Sequence, residues 1–118
     1  MARVLIIDDD PQVLTMAEEA MSNFHQVQTA LGGRLGMQMI RNNTFDLVFT
    51  EIVMPEVDGF EILMESVGKL NQPKFVAMIS GSTILNRDGL ASVAKCMKVE
   101  HVLHKPFSEY ELMDAAKI

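Results

Sequence analysis

The chain is 118 residues long, 48% hydrophobic, with a formal net charge of −6 and one cysteine. That length suits one domain able to bury a core, and no apolar run approaches the roughly 20 residues of a membrane helix. There is no basic cluster to meet nucleic-acid phosphates, and the lone Cys96, read as a buried helix residue, allows no internal disulfide and suits a reducing cytoplasm. Ten methionines are many for this length and read as adaptable core filler, some of them available to a partner surface.

Apolar runs and amphipathic segments alternate along the chain. Arg3–Ile7 is a near-continuous apolar run, the pattern of a parallel strand covered on both faces. It begins at once, so no cleaved leader is expected. Asp10 fits an N-cap with Pro11 at the first helical position, and Val13, Ala17, Met21 and Phe24 recur at helical spacing. Gln26–Ala30 alternates weakly and reads as an edge strand. Leu31–Arg41, with Gly32, Gly33 and Gly36, reads as a poor helix. Leu47–Thr50 predicts a buried strand, and Phe60, Leu63, Met64 and Val67 a helical stripe after it. Phe75–Ile79 is the fourth predicted strand, Leu90, Val93, Ala94 and Met97 the fourth helical stripe, and Val102–His104 the fifth strand. The last helix opens on a capping box, Ser108 with Glu111, and Phe107 and Leu112 stand where a hydrophobic staple needs them. Five strand–helix repeats predict an α/β fold, a doubly wound (βα)5 three-layer sandwich with a parallel sheet.

In such a sheet ligands sit outside the carboxyl ends of the strands. The chemistry-bearing residues fall there: Asp8 and Asp9 after the first strand, Glu51 after the third, Ser80 after the fourth and Lys105 after the fifth. Converging carboxylates repel, so a pKa rises or a cation enters. Oxygen donors without His or Cys suit Mg²⁺, which takes only one or two carboxylates and keeps several waters. An ammonium and a hydroxyl opposite the metal complete a site for a phosphoryl group. Taken singly, each residue also reads as an ordinary loop carboxylate or surface lysine; the joint placement carries the inference.

With Met54-Pro55, Asp58-Gly59, Ser80-Gly81 and Lys105-Pro106-Phe107 in place, the chain resembles a CheY-like response-regulator receiver domain over its whole length, 1–118. The resemblance implies a flavodoxin-like sheet in the order 2-1-3-4-5 and a part in two-component or phosphorelay signalling rather than enzymatic turnover. It makes Asp9 a direct metal ligand, Asp8 one that often acts through water, and the Val53 carbonyl a further ligand. Lys105 and Ser80 take the places that contact the phosphoryl group, and a cis Lys105–Pro106 bond is expected. The implied partners are a histidine kinase or phosphotransfer protein and a downstream effector protein, in the cytoplasm, without membrane or nucleic acid. A homodimer is compatible with this pattern.

Two positions depart from the family pattern. Glu51 stands where the family carries its phosphorylated aspartate, and Val102 where many members carry a Tyr or Phe that changes rotamer; the segment around Thr83–Gly89 is also slightly long. Glutamate moves the carboxylate outward by about 1.5 Å, and a misplacement of about 1 Å costs about 10²-fold in a positioned reaction. An impaired acceptor follows, with any Mg²⁺ held weakly. The same reach brings the carboxylate toward Lys105 and Ser80. Constitutive mimicry, simple loss of phosphorylation and a receiver still able to accept phosphate all stay open at this point.

Three other classes fit the residues less well. A haloacid-dehalogenase-type phosphatase uses Asp-x-Asp after its first strand, which Asp8-Asp9-Asp10 superficially fits, but Gln12 stands where a small residue is wanted and no cap domain is present. A flavodoxin would place a hydroxyl-rich phosphate cradle where this chain has three aspartates. His25, His101 and His104 lack cysteine partners and read as surface or packing residues rather than a zinc site.

Overall fold

The first strand buries both its faces. In the computed structural model, which describes residues 1–80 and 99–117, β1 (Arg3–Asp8) has Val4, Leu5, Ile6 and Ile7 wholly buried. Alternate residues point to opposite sides of a pleated strand. Val4 and Ile6 therefore join one core cluster, Leu5 and Ile7 the other. The sheet continues with β2 (Gln26–Leu31), β3 (Leu47–Glu51), β4 (Lys74–Ile79) and β5 (His101–His104). All pairings are parallel and the order is β2-β1-β3-β4-β5, so β2 is an edge strand as predicted. Parallel neighbours need a crossover each, and the described crossovers are the helices α1 (Pro11–Met21), α2 (Gly33–Asn42) and α3 (Gly59–Ser66). A last helix, α4 (Glu109–Ala115), follows β5. Leu14, Ala17 and Met21 of α1 and Leu112 and Ala115 of α4 pack on one face; Met37 and Ile40 of α2 and Ile62 and Leu63 of α3 pack on the other. The result is the doubly wound three-layer sandwich. The predicted stripe Leu90–Met97, Cys96, Gly81 and the Thr83–Gly89 segment lie outside the described residues.

Helix ends follow the sequence chemistry closely. The Asp10 side chain accepts from Gln12 N–H at 2.9 Å, with Pro11 at N1. Ser108 Oγ accepts from Glu111 N–H at 3.0 Å while Glu111 Oε1 accepts from Ser108 N–H at 3.1 Å, which is the predicted capping box. Phe107 and Leu112 share one apolar cluster, as a staple requires. A second capping box, Asp58 with Glu61, opens α3.

Two helical stripes need correction. α1 ends at Met21 with Ser22 as its C-cap, so the period no longer governs Phe24, which lies in the turn toward β2 and is 61% exposed. The buried face is Leu14, Ala17, Ala20 and Met21. In α3 the inward residues are Ile62, Leu63 and Ser66; Met64 faces solvent, and Val67 is an extended C-cap rather than a helical residue. The glycine-rich segment also forms a sounder helix than predicted, with Leu31 belonging to β2. Its glycines serve close approach. A Cβ on Gly33 would lie 1.8 Å from the Val57 carbonyl oxygen, and one on Gly36 2.7 Å from Ile7 Cδ1.

Candidate functional site

Each strand end delivers one group to the same edge of the sheet. Asp8 closes β1 and is fully buried. Its Oδ1 accepts from Asp10 N–H at 2.9 Å, which folds the acidic turn back on itself. Glu51 closes β3 and is 2% exposed. Thr50 Oγ–H donates to the Glu51 carbonyl at 3.0 Å, and Gly59 N–H donates to the Ile52 carbonyl at 2.8 Å. That turn is too tight for a side chain: a Cβ on Gly59 would sit 2.5 Å from the Glu51 carbonyl oxygen. Asp58-Gly59 therefore does two things, starting α3 and letting its first turn press under the Glu51 backbone. Lys105 N–H donates to the Ile79 carbonyl at 2.8 Å, which sets Lys105 beside the end of β4, where Ser80 follows. The Lys105–Pro106 peptide bond is cis.

Lys105 joins the carboxylates. Its Nζ lies 2.7 Å from Asp8 Oδ2 and 2.9 Å from Glu51 Oε2. Apart from this ammonium, neither buried oxygen has a partner among the described residues. Two negative charges and one positive share a site whose carboxylates are almost sealed from water. Burial raises the pKa of Asp8 and of Glu51 above the ordinary carboxylate range, and pairing with Lys105 only partly offsets it. Burial would lower Lys105, but pairing with Asp8 and Glu51 outweighs it and holds the ammonium above the usual lysine value. A cleft of about 380 Å³ opens beside Lys105, lined by Gln12, Val13, Met16, Pro106 and Phe107 among others.

Of the residues singled out in the sequence, Asp8, Glu51 and Lys105 are in contact. Asp9 is exposed at the turn, and Val53 is 59% exposed. Val102 is half-buried in β5, packed on Ile52, Ala77 and Ile79. Asp8 is the aspartate that touches Lys105. The donor chemistry fits Mg²⁺, since Asp8 and Glu51 offer hard carboxylate oxygens that share a single ammonium between them. The fit is to two carboxylates rather than three: no group of three His, Cys, Asp or Glu side chains is gathered to hold an ion among the described residues. Asp58-Gly59 was singled out as a motif, and its glycine is the residue that lets α3 approach the Glu51 backbone; Thr50, whose hydroxyl supports the Glu51 carbonyl, was missed.

The chain belongs to the response regulator receiver domain family, whose model matches residues 4–117. It is 29% identical over 93% of its length to YrkP, an uncharacterized transcriptional regulatory protein of Bacillus subtilis, covering 46% of that protein. It is 31% identical over 90% of its length to the two-component response regulator ORR23 of Oryza sativa, covering 18% of it. The chain thus spans less than half of these curated relatives. Among solved structures, the CheY-like receiver domain protein of Methanospirillum hungatei superposes with a TM-score of 0.85 at 20% identity, over 99% of this chain and 91% of that one. The chemotaxis response regulator CheY4 of Vibrio cholerae gives 0.85 at 22% identity, over 99% and 97%. The protein is therefore a receiver domain of two-component signalling with the CheY-like fold. The phosphatase reading finds no support. Asp10, the second acid of its motif, caps α1 instead. Among the described residues no helix is long and apolar enough to cross a membrane.

Proposed function

We propose that this receiver domain is phosphorylation-impaired and acts as a constitutive, phosphorylation-independent protein-interaction module in a cytoplasmic two-component or phosphorelay pathway, without enzymatic turnover of its own. One observation carries the reading: the Glu51 carboxylate, 2% exposed, already sits 2.9 Å from Lys105 Nζ. By resemblance, that lysine meets the phosphoryl group. Glutamate's extra methylene puts a carboxylate there instead. It supplies one negative charge against roughly −1.5 to −2 for a phosphate. A buried, paired carboxylate is also a poor nucleophile, because attack must first break the pair. The partners that suit this reading are a histidine kinase or phosphotransfer protein, a downstream effector, or a second copy of the chain.

Mg²⁺ belongs to the proposal as a weak ligand. Asp8 and Glu51 would hold it, with Asp9 and the Val53 carbonyl as the further ligands the resemblance suggests. When bound it supplies positive charge to neutralise phosphoryl oxygens. Lys105 already provides part of that charge.

The test is intact-mass analysis after incubation with acetyl phosphate and Mg²⁺. Wild type should give little stable adduct, and Glu51→Asp about 10²-fold more. Equal modification of the two proteins would return the domain to the working-receiver reading. Mg²⁺ titration of the same samples should move the amide signals of Asp8 and Glu51 only at high concentration in wild type. No movement at all would remove the metal from the proposal.

A further inference from the structure

Among the described residues, β2 pairs with β1 alone and leaves its other side open. Gln26 N–H donates to the Ala2 carbonyl at 2.9 Å and Gly32 N–H to the Asp8 carbonyl at 2.8 Å. Backbone groups alternate in direction along a parallel strand, so Gln26, Gln28 and Ala30 face β1. Val27, Thr29 and Leu31 therefore turn both N–H and C=O outward. Natural sheets blunt such an edge with charge, proline or a bulge. Gln26–Leu31 has no charged residue and no proline, and its register with β1 is unbroken. Val27 packs on the α1 side of the sheet and Ala30 on the α2 side. Val27, Thr29 and Leu31 thus share the α1 face, and Leu31 is 56% exposed.

The helix beside this edge is apolar on the same flank. Arg34 and Arg41 of α2 reach Glu56 and Glu65, both on the α3 side. Leu35 and Met39 fall on the opposite flank of the helix, toward the open edge. Leu35 is 42% exposed and Met39 half-buried. A second copy related by a two-fold axis through Thr29 matches every outward group. Thr29 exchanges both backbone hydrogen bonds with Thr29 of the copy, and Val27 with its Leu31, as an antiparallel pair. On the α1 face Leu31 then covers Val27 of the copy, and Thr29 meets Thr29, a favourable cross-strand pair. α2 packs over both β1 and β2. The two α2 axes come to two strand spacings, about 10 Å, which is the distance of packed helices. Leu35 and Met39 close that seam. Charge opposes the union, since each copy carries −6. Glu18 lies on the flank of α1 away from Val13 and Met16, but toward the start of β2 and so off the axis at Thr29. We infer that the β2 edge is a self-association surface, which joins two copies of this chain through antiparallel β2 strands. This gives the second copy named among the partners above a location, and it holds whatever the state of Glu51. An edge of 6 residues with one helix flank buries on the order of 1,000 Å², the lower limit of a specific interface, and gives a dissociation constant on the order of 10⁻⁵ M.

The experiment begins with sedimentation equilibrium of the whole chain in about 0.15 M salt, which screens the net charge. Monomer and dimer should exchange at about 10 µM. Amide hydrogen exchange by NMR then reads the interface. Raising the concentration from about 20 µM to about 1 mM should slow exchange severalfold at Val27, Thr29 and Leu31. Gln26, Gln28 and Ala30, already bonded to β1, should not change. Leu31→Lys, at an exposed position, should weaken the dimer about tenfold or more while those inner amides stay protected. Tyr110→Ser, on the exposed side of α4, should leave it unchanged. If Leu31→Lys fails to fold, the alternation of protection in wild type decides alone. A monomer at 1 mM, a dimer whose outward amides gain no protection, a folded Leu31→Lys that dimerises as before, or loss of the dimer in Tyr110→Ser would each overturn the inference.

Discussion

Lys105 carries most of the electrostatic burden of the site. Its stem is largely covered, its side chain 17% exposed, and its head serves two carboxylates that are nearly fully buried. A buried ion pair often adds little over an apolar replacement, but removing one partner strands the other. Here one removal strands two. Lys105→Gln should therefore lower unfolding free energy by about 3 kcal/mol, measured as a fall in the urea midpoint with an unchanged slope. Adding Glu51→Gln to that variant should recover part of the loss, because one of the two stranded charges is gone. Simple additivity of the two substitutions would show that the residues do not interact. The contrast with the surface pair Arg34–Glu56 is large. At 2.8 Å it is as short, but both side chains are mostly exposed, and such pairs contribute little.

Among the elements, α2 shows where local propensity and tertiary packing part company. Gly32, Gly33 and Gly36 argue against a helix when each is priced alone. In the fold, Gly33 lets the Val57 carbonyl approach and Gly36 accommodates the buried Ile7. Gly33→Ala should cost about 3 kcal/mol, read by thermal or urea denaturation, because the obstructing atom belongs to the backbone and cannot swing aside. Gly36→Ala should cost less, since Ile7 is a side chain and alanine improves helix propensity by about 1 kcal/mol. A greater loss at Gly36 would reverse this ranking. Five strands, the order of alternation and the caps at Asp10 and Ser108 were legible because each depends on neighbours in sequence. The burial of Met64, Val67 and Phe24 was misread because their fate depends on where a helix stops and which side meets the sheet. At the site, Asp8, Glu51 and Lys105 were legible from their places at strand ends. The approach of Glu51 to Lys105 was legible from glutamate's extra methylene; the second contact of the same lysine, with Asp8, was not, since it rests on side-chain reach across the sheet.

For the molecule as a whole, the question is whether the carboxylate end communicates with the surface formed by β5 and α4. Allosteric coupling needs an element with two states that both sites bias. Val102 offers a stiff β-branched side chain with few rotamers, held half-buried against Ile52, Ala77 and Ile79. The face Val102–Ala116 should hold one conformation whatever happens at Glu51. Relaxation-dispersion NMR of wild type and Glu51→Gln should find no microsecond-to-millisecond exchange there in either protein. Exchange present in wild type and absent in the variant would reveal a live switch.

The placement of β1 bears on how the site comes into being. β1 pairs with β2 and β3 inside the sheet, so Asp8 is committed to the interior early in the chain, while its counter-charge follows β5, nearly the full chain length away. Contacts between such distant residues bear the largest loop-closure cost. Burying either carboxylate in its charged form without Lys105 carries a desolvation cost that nothing offsets. The charged centre is complete only when β5 is in place beside β4 and carries Lys105 to both acids, so integrity of the edge strand and integrity of the site are one property.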